Sequence, residues 1–151
     1  MKHRWVTERF PALMARGLDP IRVQGLYYVA TGIWPVLHLR SFLFVTGPKH
    51  DTWLVKTFGL LVAAIGTTLV AHDPEGADRS AVRLAVASAL ALTACEIVFV
   101  ERGRISPIYL ADAAVELAFA ASIVGRSRRE TSIAAGSEAD DDPLVRGQVN
   151  V

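Results

Sequence analysis

The sequence predicts an all-α fold, a bundle of four transmembrane helices, and three observations carry that prediction. Of the 151 residues, 52% are hydrophobic, and the mean hydropathy of +0.33 is too high for an ordinary soluble domain. The apolar residues gather into four blocks between Arg22 and Gly125 instead of recurring on one face of each helix. Each block runs for about 18 to 20 residues, which at about 1.5 Å of rise per residue matches a hydrocarbon layer of about 30 Å. The organisation that follows is a basic interfacial segment over 1–19, a membrane domain over 20–125 and a disordered cytoplasmic tail over 126–151.

The N-terminal segment mixes Lys2, Arg4, Arg9 and Arg16 with Trp5, Phe10, Leu13 and Met14, a composition suited to an anionic membrane surface. Asp19-Pro20 is a helix-start signal, an N-cap side chain followed by a residue already at helical φ. The first span is expected over about 20–39, with Pro35 removing one backbone hydrogen bond near its far end. Residues 40–50, RSFLFVTGPKH, hold too short an apolar run to cross a bilayer and read as an interfacial or re-entrant segment. Asp51 is placed to cap the second span, about 52–71. HDPEGADRS is a polar turn, the third span covers about 81–100, and Gly103 suits a left-handed terminus. Ser106-Pro107 opens the fourth span, about 107–125. The tail has GSEADDDP and no hydrophobic period, so it reads as a solvated end.

Charge assigns an orientation. With both termini in the cytoplasm, ten Lys and Arg residues lie on the inner side against Arg40, Lys49, Arg102 and Arg104 outside, as the positive-inside rule prefers. No basic stripe with interleaved aromatics exists, which excludes nucleic acid as a partner. Cys95 is the only cysteine, so no intramolecular disulfide and no paired-cysteine metal site can form. His3, His38, His50 and His72 lack a metal-site spacing, so no metal is expected. No nucleophile motif or phosphate-binding loop supports an enzyme, and no cofactor can be identified from the residues.

The informative feature is charge inside the spans. Each ionisable group costs about 2.5 to 3.5 kcal/mol at the centre of a lipid-facing helix, so such groups are expected to face one another or a cavity. His38 and Arg40 end the first span, Lys56 opens the second, Glu96 closes the third, and Asp112 and Glu116 lie one turn apart in the fourth. Their shared depth near the outer boundary makes these six the candidate ligand or proton site. In the structural reading, Lys56 and Arg40 neutralise Glu96 and Asp112. In the functional one, an excess carboxylate binds a cation, a proton or a lipid-like head group. Asp112 and Glu116 are not expected to be charged together in a poor dielectric. Two small-residue faces, Gly59/Ala63/Gly66 and Ala85/Ala89/Thr93, are read as packing surfaces within the bundle.

Four spans, WPVLHLRSF at the end of the first, TGPK with DTWLVK at the start of the second, and acids in the last two together resemble the DoxX-like four-helix membrane proteins. The resemblance covers about residues 20–125. It implies a bacterial cytoplasmic membrane and a quinone-linked or redox setting, and it assigns no residue a role. Three functions follow as expectations. The first is an outer-leaflet pocket for a small amphipathic ligand, lipid-like or quinone-like, or for a membrane partner. The second is a proton-coupled carrier of small cations acting as a homodimer, and the third is an accessory subunit without a ligand.

Overall fold

The computed structural model describes residues 19–73 and 79–140. The interfacial segment expected over 1–18, the middle of the polar turn and residues 141–151 of the tail lie outside them. The described residues form helices joined by short turns, with no strand among them: α1 (Pro20–Leu37), α2 (Leu39–Thr46), α3 (Thr52–Ala71), α4 (Arg79–Glu101) and α5 (Tyr109–Asp140). Two of these, α3 and α4, are each long and apolar enough to cross a membrane, and the bent pair α1 and α2 passes the same test when taken together.

Local chemistry sets the helix ends. Asp19 accepts the Arg22 amide at 3.3 Å with Pro20 in the first turn, as a capped start requires. The same carboxylate meets His72 Nε2 at 3.0 Å, while His72 Nδ1 faces the Leu69 carbonyl at 2.7 Å and the Arg22 guanidinium donates to the His72 carbonyl at 3.2 Å. These bonds tie the start of α1 to the end of α3. The segment between the first two spans forms its own helix, turned 111° from α1. His38 makes the corner, accepting the Ser41 amide, and Trp34 braces it by donating to Ser41 Oγ at 2.7 Å and packing edge-on against Phe42. Asp51 holds the N-cap position of α3 without a side-chain bond; at ψ 73° it is not in the extended conformation of a capping residue. Gly103 ends α4 at φ 63°, with Arg104 N donating to Phe99 O and Gly103 N to Val100 O, the paired bonds of a Schellman terminus.

One expectation is corrected at the C-terminus: α5 continues without a break through residues 126–140, which the sequence placed in a disordered tail. No proline interrupts this stretch, and each added residue gains a backbone hydrogen bond on a helix already nucleated in the bundle.

The helices associate as two close pairs, α1 with α3 and α4 with α5, and α1 also touches α4 and α5. The first pair is antiparallel and its backbones meet at glycines. A Cβ on Gly66 would stand 2.6 Å from the Gly25 carbonyl oxygen, and one on Gly25 would stand 2.8 Å from that of Gly66. Gly32 and Gly59 oppose each other in the same manner seven residues along. The second pair buries Ala81, Ala85, Ala89, Thr93 and Glu96 from α4 against Ala113, Glu116, Ala120 and Ile123 of α5. Small residues at intervals of three and four let these helices approach closely, and each stripe carries an acid.

Candidate functional site

Because α1 turns its glycines toward α3, its opposite face is left for α4 and α5, and that face is polar. Gln24 and Tyr28 lie one turn apart on it and Tyr27 lies beside them. Tyr28 OH donates to Glu116 Oε2 at 2.8 Å and accepts from Gln24 Nε2 at 3.0 Å. Gln24 Nε2 also donates to the Ala85 carbonyl at 2.9 Å, and Ser88 Oγ stands 3.4 Å from Tyr28 OH. Tyr27 OH donates to Asp112 Oδ1, and its ring packs on Phe119, centroid to centroid 5.7 Å. Two consecutive residues of α1 therefore hold two carboxyl groups of α5 that are one turn apart.

The third acid joins from α4. The carboxyl group of Glu96 reaches hydrogen-bonding range of Asp112. Glu116 is 1% exposed, Glu96 7% and Gln24 0%. Three buried oxygens in or beside this cluster lack a partner: Gln24 Oε1, Thr93 Oγ1 and Glu96 Oε2. Thr93 lies three residues before Glu96 on the same buried stripe. A polar seam thus runs from Gln24, one turn inside the start of α1, up to Glu96 and Asp112. At its outer end Tyr109 lies under the Lys49 ammonium, 5.0 Å from the ring centroid. Lys49 also donates to the Thr46 carbonyl at 3.2 Å, and burial there pulls its pKa below the ordinary lysine value.

Of the six residues grouped from the sequence, the fold brings together Glu96, Asp112 and Glu116 and leaves out the basic three. His38 is spent on the corner between α1 and α2, and Arg40 and Lys56 are exposed. Among the described residues no basic side chain forms an ion pair with any of the three acids. Depth along the bundle is similar for all six, but α3 packs mainly on α1 through an apolar glycine face, so Lys56 has no route to α5. Tyr27, Tyr28, Gln24 and Ser88 were missed as partners. The available signal was two tyrosines two turns inside a span, where interfacial anchoring does not account for them.

Among the described residues no group of three His, Cys, Asp or Glu side chains is arranged to hold a metal ion. Comparison with protein-family models, with curated proteins and with solved structures found no match to this chain. The site's own chemistry is left to speak for its function, and the DoxX-like reading rests on sequence pattern alone.

Proposed function

We propose that the chain is a four-pass protein of a bacterial cytoplasmic membrane, both termini inside, whose Glu96, Asp112 and Glu116 form a proton-linked cation-binding site. One observation carries this reading: three acids, Glu96 and Glu116 buried and Asp112 half-buried, share a seam with no basic partner among the described residues, and two of them are held by tyrosine hydroxyls. Carboxylates this close in a poor dielectric repel one another, and a proton or a cation relieves that repulsion. Structural ion pairing with Lys56 and Arg40 loses its support, because neither side chain reaches the acids. The fourth span is supported by burial. Of the two acids that lower the apolarity of α5, Glu116 is 1% exposed and half-buried Asp112 is held by Tyr27, which reduces their cost against lipid.

Infrared difference spectroscopy on the full chain in liposomes tests the site. Wild type is expected to show a protonated-carboxyl band that changes with pH, reduced in Glu96→Gln and in Glu116→Gln. A spectrum without such a band at any pH between 5 and 9, or identical in all three proteins, would refute the reading.

A further inference from the structure

Resting on that protonation site, the partnerless oxygens identify what it takes besides a proton. Glu96 Oε2 and Thr93 Oγ1, both without a partner, sit one turn apart on α4 beside Asp112, at 7% and 5% residue exposure. A carboxyl oxygen and a hydroxyl in such a position accept hydrogen bonds, and burying them without a donor costs about 1 to 3 kcal/mol each. A proton held between Glu96 and Asp112 serves the carboxyl pair but leaves Thr93 Oγ1 without a partner. A ligand carrying several N–H groups supplies these acceptors together, and in an acidic seam with no basic counter-charge among the described residues such a ligand is a cation. Its N–H groups would meet Glu96, Thr93 and Asp112. The Tyr27 ring, whose hydroxyl bonds the Asp112 carboxyl, offers an aromatic surface that favours an organic cation over a bare alkali ion. An anion or a neutral quinone supplies neither the charge nor the donors.

We propose that the outer part of the seam, Thr93, Glu96 and Asp112 with Tyr27, binds a protonated primary amine carrying an apolar group, in exchange for a proton. The balance is one for one. The proton held between the Glu96 and Asp112 carboxyl groups leaves to bulk water, the ammonium takes its place, and the net charge of the site is unchanged. Tyr27 positions Asp112 for this exchange, and Glu116, one turn deeper and held by Tyr28, stays outside it.

Benzylamine is the probe, titrated calorimetrically into the detergent-solubilised full chain with a pH-indicator dye recording protons. Saturable binding is expected, with about one proton released per amine near neutral pH. Benzyltrimethylammonium, which has the charge and ring but no N–H, should bind at least about tenfold more weakly, the loss of one charge-assisted hydrogen bond or more. Thr93→Val, nearly isosteric, should weaken benzylamine by about three- to tenfold, and Glu96→Gln should abolish proton release. Equal affinity for the two cations overturns N–H recognition. No benzylamine binding, with the pH-dependent carboxyl band still present, overturns the amine and leaves the proton site standing. Loss of both removes the reading on which it rests.

Discussion

Tyr28 is the side chain on which most of the polar seam converges, since its one hydroxyl donates to Glu116 and accepts from Gln24. Tyr28→Phe keeps the ring and leaves a carboxyl group and an amide without their shared partner. We expect a loss of about 1 to 3 kcal/mol, the cost of unsatisfied buried polar groups, measurable by denaturant unfolding in mixed micelles. Lys56 makes the opposite case. A buried Lys56 to Glu96 pair, as the sequence allowed, would lose about 3 to 5 kcal/mol when one partner is removed. The side chain is exposed instead, so Lys56→Met is expected to change stability by no more than about 0.5 kcal/mol. A large loss in that variant would mean that the lysine reaches the acids after all. Tyr27 and Tyr28 could be noticed in the sequence as buried aromatics, but the carboxyl groups their hydroxyls bind are more than eighty residues away. No local pattern encodes that distance.

At the scale of the element, glycine position distinguishes helices that touch backbone to backbone from one that does not. A methyl on Gly66 would strike the Gly25 carbonyl oxygen at 2.6 Å and Tyr28 Cβ at 2.8 Å, and the backbone cannot yield without parting α1 from α3. Gly66→Ala should therefore cost about 1 to 3 kcal/mol, the usual range for overpacking. A Cβ on Gly125 would meet nothing within 4 Å, and the residue lies inside a helix. Gly125→Ala should leave the protein unharmed or gain up to about 1 kcal/mol of helix propensity. Thermal unfolding of the two variants side by side checks both signs. The small-residue face at Gly59, Ala63 and Gly66 was visible in the sequence, but its partners Gly25 and Gly32 were not singled out. With that face occupied within one chain, the argument for its use between two chains weakens. The end of α5 was misread because composition alone was weighed there. A helix anchored in the bundle extends past the point where its hydrophobic face stops, and hydrogen exchange should find amides protected beyond Gly125.

For the molecule as a whole, the central place of α1 is the organising fact. It presents glycines to α3 and tyrosines to α4 and α5, so the two helix pairs meet across it and the acid seam lies between them. The topology proposed for this arrangement makes a labelling prediction. With Cys95 replaced by alanine, single cysteines at His50 and Arg104 should react with an impermeant maleimide from outside. One at Arg128 should react only after the membrane is opened. Labelling of the positions at 104 and 128 from the same side would show that α5 does not cross.

The sequence by itself determined the helical class, most helix boundaries, the capped start at Asp19, the left-handed turn at Gly103 and the presence of acids where lipid would reject them. All of these depend on residues near one another in the chain, through periodicity, capping and turn chemistry. Only the tertiary structure decided which charges share a site. Depth along a helix follows from counting residues, whereas the direction a side chain faces depends on which neighbour its helix packs against. Lys56 and Asp112 fall at similar depth on helices that face different partners. The acids meet tyrosines instead of lysines because α1, held to α3 by its glycines, has its polar face turned toward them.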